Sequence, residues 1–417
     1  MMRSLDVYFG AHRAGQLTQG DDGALVFGYA HAYLSDPAAR AISVSMPLSA
    51  APFDDRAARP WFSGLLPDEG ARQRLAAALG ISAGNTFGLL EIIGGDCAGA
   101  LSLHPSGTTP PATASGDVDW LDDARLAQVM ERLRERPLLG GEEGVRLSLA
   151  GAQDKLAVCA DDHRIGLPRG DLPTTHILKP RIPALEGTVE NELFCLRLAA
   201  RMQLPTADAQ LRRAGDAPAL LVRRYDRETR GSTVLRLHQE DFCQALGVPP
   251  EIKYEAEGGP GTTQSLALID RVCARPAAGR LEFIRRLIFH DLIGNADAHA
   301  KNHALLYRNA APDLAPLYDV LCTAAYPRLH KALAMKIGQR NMPDTIRLED
   351  WATLMPPGRT ALRLLVRELR GMATRIGDEA DRLKDDLAQA GITHPVLTTI
   401  RKVIETRRQH LLRIAGR

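Results

Sequence analysis

The stretch Gly294-Asn295-Ala296-Asp297-Ala298-His299-Ala300-Lys301-Asn302 places an aspartate five residues before an asparagine. Phosphoryl transfer to a hydroxyl uses that pair: the carboxylate orients the acceptor hydroxyl and the amide oxygen holds a magnesium ion. Residues 303–308 and 314–318 then read as two short strands around the turn-forming Asn309-Ala310-Ala311-Pro312-Asp313. Paired as a hairpin, they set Asn302 roughly opposite Asp319. A Tyr-Asp at a strand end can also simply cap the next turn. The hairpin favours metal ligation by Asp319, because magnesium needs only one or two protein oxygens beside its phosphates and waters. His299 and His303 are four apart and would share a helix face, as zinc ligands do. A zincin helix needs a glutamate directly after its first histidine, and Ala300 stands there. The histidines, His299 above all, read instead as hydrogen-bonding supports of the loop.

Four other segments carry possible chemistry. Ser148-Leu-Ala-Gly-Ala-Gln-Asp-Lys155 lacks the Gly-Lys-Ser/Thr of a Walker loop. Its small residues Ala150, Gly151 and Ala152 would let backbone N–H groups approach phosphate oxygens, with Lys155 adding charge. A plain hairpin turn packed on small residues fits the stretch equally well. Lys179 closes the apolar run His176-Ile-Leu-Lys. A strand-end lysine usually reaches solvent, whereas beside a nucleotide it would contact phosphates, steadied by Glu190 or Glu192 of the next helix. Arg223-Arg224-Tyr225 follows a strongly apolar strand, where a hinge that binds adenine through backbone groups would lie, with Tyr225 able to cover the base edge. The turn-dense segment 253–261 suits a substrate-facing loop. Arg401, Lys402, Arg407, Arg408, Arg413 and Arg417 near the C-terminus read as a solvated helix face in preference to a nucleic-acid surface.

These residues must be positioned by elements the pattern already suggests. At 417 residues, 45% hydrophobic and 24% charged, the chain has room for two or three domains and contains no apolar run of bilayer length. The net charge of +2 decides nothing about partners. Six scattered cysteines without a Cys-x-x-Cys pair point to reduced, buried thiols, and the start has no apolar signal core, so a cytoplasmic protein is expected. Strand-like runs fall at 4–9, 24–28, 43–46 and 100–104, with a helix over 69–79 that ends at Gly80. A Pro/Gly/Ser/Thr stretch, 105–116, reads as a linker. Leu126, Val129, Met130 and Leu133 form a helical stripe halted by Pro137. Strands at 155–160 and 176–179, a helix over 189–202 and a strand ending in 220–226 follow. Beyond about 239 the chain reads as mainly helical. The order is a small α/β module, a β-containing lobe and a helical lobe, as in a two-lobed kinase.

Together these segments resemble the HipA family of bacterial serine/threonine kinases, the toxin halves of HipBA-type toxin–antitoxin systems. The ordered matches run from Trp61-Phe-Ser-Gly-Leu-Leu-Pro-Asp-Glu through 148–155, Thr174-Thr-His-Ile-Leu-Lys, Glu190-Asn-Glu-Leu-Phe-Cys, Arg224-Tyr-Asp-Arg and Gln239-Glu-Asp-Phe-Cys. They continue with 253–261, 297–302 and Tyr318-Asp319. The resemblance implies an α+β, two-lobed kinase-like fold related to the phosphatidylinositol kinases, with a small N-terminal α/β subdomain and a mainly helical C-terminal lobe. The expected divisions are an N-terminal subdomain 1–104, a linker 105–122, a nucleotide-binding lobe 123–238 and a helical catalytic lobe 239–417.

By the family pattern Asp297 is the catalytic residue. Ala150, Gly151, Ala152, Gln153, Asp154 and Lys155 form the ATP loop, Lys179 binds nucleotide, and Arg223, Arg224 and Tyr225 form the hinge. His299, Ala300, Lys301, Asn302, Tyr318 and Asp319 complete the nucleotide site, with Asn302 and Asp319 on the metal. Ser148 matches an autophosphorylation serine whose modification expels the ATP loop; a dianion there would be repelled by triphosphate and carboxylates. Implied cofactors are ATP and Mg²⁺. Implied partners are a small HipB-like DNA-binding antitoxin, operator DNA mainly through that antitoxin, and a protein substrate of the aminoacyl-tRNA synthetase class, glutamyl-tRNA synthetase being the family precedent. No membrane partner is expected. Arg223 stands where the best-known family member has an acidic residue, Asp154 replaces a glutamate, and the region after Met342 matches poorly. A mainly co-repressor protein and a small-molecule or lipid kinase remain the alternative readings.

Overall fold

Two compact units make up the chain. The first comprises Met1–Pro180, Arg212–Glu251 and Leu305–Pro312, and the second Arg181–Leu211, Ile252–Ala304 and Asp313–Arg417. The structure, a computed structural model, describes residues 3–108, 116–142, 146–231 and 233–416. Residues 109–115 of the expected linker, 143–144 of the turn-rich segment before Ser148, and Arg417 lie outside the described residues.

The first unit opens with an antiparallel sheet in the order Leu25–Tyr29, His12–Gln19, Arg3–Phe9, Leu101–Pro105. Cross-strand partners Leu5 and Leu17, Leu17 and Phe27, and Val7 and Leu103 share one face, and all five side chains are fully buried. Helices Asp55–Ser63, Glu69–Leu79 and Thr86–Ile93 contribute Trp61, Phe62, Leu75 and Phe87 to the same core. Gly80 ends the second helix in the left-handed region, at φ 67°.

The expected strand over 43–46 does not form; the chain bends there. The Ser43 hydroxyl donates to one oxygen of Glu240 at 2.6 Å, and the Val44 N–H donates to the other at 3.0 Å. The Ser45 hydroxyl donates to Gln244 O at 2.8 Å. These bonds replace a strand ladder with side-chain partners. Glu240 is fully buried and also accepts from the Trp61 indole at 3.3 Å and the Tyr307 hydroxyl at 2.6 Å. Burial pushes its carboxyl pKa up, and these donors pull against that rise.

A six-stranded sheet follows, in the order Val118–Leu121, Ile165–Pro168, Leu156–Ala160, His176–Pro180, Ala217–Arg223, Ala209–Ala214. Its register pairs Leu156 with Leu178 and Lys179 with Leu220.

The second unit is mainly helical: Thr188–Arg201, Thr262–Val272, Pro276–Ile293, Arg359–Gln389 and Pro395–Ile414. Leu365, Leu369, Met372, Ile376, Leu383 and Leu387 form the buried stripe of the fourth of these, and Ile400, Ile404 and Leu411 that of the fifth. The expected basic face of the last helix is partly taken up within the helix pair. Arg401 bonds Asp381 and Glu405, and Arg408 bonds Glu405. All six cysteines are buried and none is in a disulfide, and no helix among the described residues is long and apolar enough to cross a membrane.

Candidate active site

Pro276 starts the helix that leads to Asp297, at a position where a missing N–H costs nothing. Gly294 ends it at φ 69°. A Cβ there would come within 2.7 Å of Val403 Cγ1 and 2.8 Å of Ala324 Cβ, so both the backbone and the space demand glycine. The next residues are fixed one by one. The buried Asn295 side chain accepts from the Asp297 N–H at 3.0 Å and lies 3.1 Å from His290 Nδ1. The Ala296 N–H donates to Thr323 Oγ1 at 2.7 Å, and that hydroxyl donates to Gly294 O at 3.1 Å. Asp297 emerges with its carboxylate 52% exposed, accepting from the Tyr254 hydroxyl at 2.6 Å.

His299 is buried beside it, with Nε2 4.0 Å from the Asp297 carboxylate and its ring edge-on to Tyr254 at 5.0 Å. The ring packs on Tyr254, and the 4.0 Å approach to Asp297 is longer than a hydrogen bond. His299 and His303 do not share a helix face, because the chain forms a single 3₁₀ turn, Ala300–Asn302, between them. His303 is fully buried, edge-on to Phe283 at 5.0 Å, and burial holds its imidazole pKa well below the usual value. It is a core histidine.

The 3₁₀ turn brings Asn302 back over the loop. Its Nδ2 donates to Asp297 O at 2.7 Å, which fixes the amide orientation and leaves the oxygen as the atom to meet a cation. The expected hairpin forms from Ala304–Tyr307 and Asp313–Leu314, and the Ala315 N–H donates to Ala304 O at 2.8 Å. Tyr318 donates its hydroxyl to Lys301 O at 2.7 Å, so the residue before Asp319 meets the residue before Asn302. Asp319 itself has φ 54°. A non-glycine residue there costs of order 1–2 kcal/mol, and such strain gathers at functional positions. The donors Asn302 and Asp319 are hard oxygens that suit magnesium. Among the described residues no three His, Cys, Asp or Glu side chains gather as a metal cage.

The other expected residues lie in the first unit. Ser148 is fully buried and its hydroxyl donates to Leu65 O at 2.7 Å. Leu147 and Leu149 flank it, both buried in the core. Gly151 takes φ 108°, and its carbonyl accepts from the Asp68 N–H at 3.1 Å. Lys155 is buried and donates to Ala150 O at 2.8 Å, bracing the loop from within. Gln153 donates to Pro180 O at 3.2 Å, and Asp154 pairs with Arg74. Ala152 is exposed. Lys179 is buried at its strand end, whereas Glu190 and Glu192 belong to the second unit. At the expected hinge Arg223 is exposed and the Tyr225 hydroxyl bonds Gln239. The Arg224 guanidinium is buried among Asp226, Asp96, Thr174 and Cys97 O, which removes it as a side-chain contact for a ligand.

Sequence reading passed over Tyr254, Asn295, Thr323 and Asn191. Asn191, fully buried, brackets the chain just past Asp319: it accepts from the Cys322 N–H at 2.8 Å and donates to Cys322 O at 3.1 Å. The neighbouring glutamates had drawn attention by their charge, while an amide in a helix gives no signal until its partner is known. Tyr254 lies in the turn-dense segment already marked as functional. Tyr254→Phe is expected to lower kcat about tenfold, the worth of one hydrogen bond to a charged group, with melting unchanged. Steady-state phosphoryl transfer and a melting curve check this together.

Comparison with known proteins adds an independent view. The HipA N-terminal domain family matches residues 5–104, and the HipA-like C-terminal domain family matches residues 147–386. A putative kinase of Sinorhizobium fredii, Y4mE, is 43% identical over 389 residues, covering 92% of this chain and 93% of that one. The serine/threonine-protein kinase toxin HipA of Shewanella oneidensis is 31% identical over 327 residues, 75% of this chain and 74% of that one. The solved complex of Shewanella oneidensis HipA with HipB and operator DNA contains a chain that superposes with a TM-score of 0.84 at 25% identity, covering 99% of this chain and 98% of that one. Both family halves are present in order over an α+β fold, so this chain belongs to the HipA family of serine/threonine kinases.

Proposed function

We propose that this chain is a Mg²⁺-ATP-dependent protein kinase toxin that arrests growth by phosphorylating an aminoacyl-tRNA synthetase, with glutamyl-tRNA synthetase as the family precedent. The observation that carries the reading is the Asp297 carboxylate, held out to solvent by Tyr254 while Asn302 is pinned to the same residue's carbonyl. Asp297 orients the acceptor hydroxyl and takes its proton. The amide oxygen of Asn302 and the carboxylate of Asp319 hold the metal, which when bound neutralises charge on the transferring phosphoryl group. Ala150, Gly151, Ala152 and Gln153 receive phosphates with their backbone, Lys179 adds its charge, and Arg223 and Tyr225 meet the base through main-chain groups. His299, Ala300, Lys301 and Tyr318 set the loop. Catalysis on this plan is positioning and charge stabilisation, not covalent chemistry.

Ser148 is the proposed off-switch, modified by the kinase itself. A HipB-like antitoxin is the proposed partner, and operator DNA is met mainly through it. The likeness to the Shewanella oneidensis assembly supports this pairing. The cytoplasm is the proposed compartment. The test incubates purified chain with Mg²⁺ and γ-labelled ATP, alone and with glutamyl-tRNA synthetase. Label is expected on the Ser148 peptide and on the synthetase, with Ser148→Ala losing the first and keeping the second. Absence of ATP turnover would favour a co-repressor that works through the antitoxin. Label in a metabolite and none in protein would favour a small-molecule kinase.

A further inference from the structure

The segment from Asp96 to Gly99 lies outside every nucleotide-contacting stretch, yet it holds two of them. Its main chain grips residues 146–148, the run that leads into the ATP loop. The Asp96 N–H donates to Arg146 O at 2.8 Å, the Ser148 N–H donates to Asp96 O at 3.1 Å, and Asp96 bridges Leu147 in parallel. Its side chain grips the strand before Lys179 and the turn after the hinge. Asp96 Oδ2 accepts from the Thr174 hydroxyl at 2.6 Å and the Thr174 N–H at 3.2 Å. Oδ1 accepts from Arg227 at 2.7 Å and lies 3.2 Å from Arg236. Arg224 reaches Oδ2 at 3.4 Å and Thr174 Oγ1 at 2.8 Å.

The neighbours of Asp96 extend the same grip. Cys97 O accepts from Arg224 at 2.9 Å and from Arg227 at 3.0 Å, and the Gly99 N–H donates to Asp226 at 2.7 Å. Three guanidinium groups and two carboxylates thus meet in a space where Arg224 and Arg227 are 1% and 2% exposed and Asp96 and Asp226 each 6%. Burial alone would raise the Asp96 pKa; the charges of Arg227, Arg236 and Arg224 outweigh it and hold the carboxyl far below its usual range. Such a cluster has few alternative arrangements, because moving one charge leaves another buried without its counter-ion.

We propose that Asp96 is a positioning residue that locks the ATP loop and the hinge into one rigid piece. It rests on the nucleotide role assigned above to 150–155 and 223–225. Asp96 touches no substrate; it acts by keeping the packed loop and the Arg224 turn in register, so that a nucleotide meets both already ordered. Its loss raises the ordering cost of ATP binding and leaves the transfer step itself intact.

The experiment compares Asp96→Asn, Thr174→Val and Leu17→Ala in the full chain. Leu17→Ala loosens the buried N-terminal sheet without touching this cluster and serves as a control for lost stability. Asp96→Asn is expected to raise KM for ATP about tenfold and to change kcat less than about threefold. Amide exchange at Ser148 and Leu149 should accelerate alongside. Thr174→Val removes only the hydroxyl shared by Asp96 and Arg224, and should move both readouts the same way, KM by about threefold. Should Asp96→Asn fail to fold, Thr174→Val against Leu17→Ala decides. If KM and loop exchange in the cluster variants match those of Leu17→Ala, Asp96 is merely structural and the proposal is overturned. A wild-type chain without ATP turnover would sink the kinase reading instead, and the exchange comparison would still decide the coupling.

Discussion

Asp297→Ala is expected to abolish phosphoryl transfer and growth inhibition while leaving the fold intact. The side chain is 52% exposed, with the Tyr254 hydroxyl at 2.6 Å and His299 Nε2 at 4.0 Å, so its removal leaves no buried charge. Its stability cost falls within the ~0.5 kcal/mol of ordinary surface changes. Its chemical cost is far larger, since a positioned general base contributes about 10²–10⁴-fold. The measurement is paired: label transfer to protein from γ-labelled ATP, and a melting curve. A folded Asp297→Ala chain that still transfers phosphate or still arrests growth would sink the assignment. Comparing phosphoproteomes of cells expressing the wild type and this variant would also reveal the physiological target.

The second large effect is expected at Asp319, where activity and stability should move apart. Asp319→Asn keeps the shape and removes the charge. With the proposed ligand set of Asn302 and Asp319, the site loses its anionic donor, and the Mg²⁺ concentration for half-maximal activity should rise by about 10–100-fold with kcat falling. Asp319→Gly tests the backbone separately. With φ at 54°, glycine relieves a strain of order 1 kcal/mol, offset in part by the greater freedom of the unfolded chain. The glycine variant should therefore melt at or slightly above wild type and be inactive. An Asp319→Asn chain with an unchanged Mg²⁺ requirement would remove Asp319 from the metal site.

Much of the fold was legible because local signals agreed with one another. The helix Glu69–Leu79 starts after Pro67-Asp68 and ends at Gly80, as its punctuation implied. The hairpin after Asn302 forms about the turn at 309–313, and the Tyr318 hydroxyl that follows it meets Lys301 O. Local signals failed where tertiary partners override them. Residues 43–46 alternate like a strand, but Glu240 supplies hydrogen bonds that a ladder would otherwise provide. Arg224 reads as part of a hinge that acts through its backbone, yet its guanidinium is enclosed by the distant Asp96 and the nearby Asp226. Tyr254 acts through a hydrogen bond to Asp297 and Asn191 through a pair to Cys322, links across the chain that no periodicity encodes. The Trp61 indole donates to Glu240, which gives the family segments Trp61-Phe and Gln239-Glu-Asp a physical reason to occur together.

The burial of Ser148 has a temporal consequence. Its hydroxyl has no exposed surface and is bonded to Leu65 O, and the leucines on either side are anchored in the core. On the switch proposed above, modification must wait for molecules in which 147–149 have come out, so the rate of inactivation is the chemical rate multiplied by the open fraction. Every 1.4 kcal/mol or so of added packing would lengthen the active period about tenfold. If Ser148 is the switch proposed above, Leu147 and Leu149 act as the weights of a timer, setting how long a dose lasts without altering how fast it works.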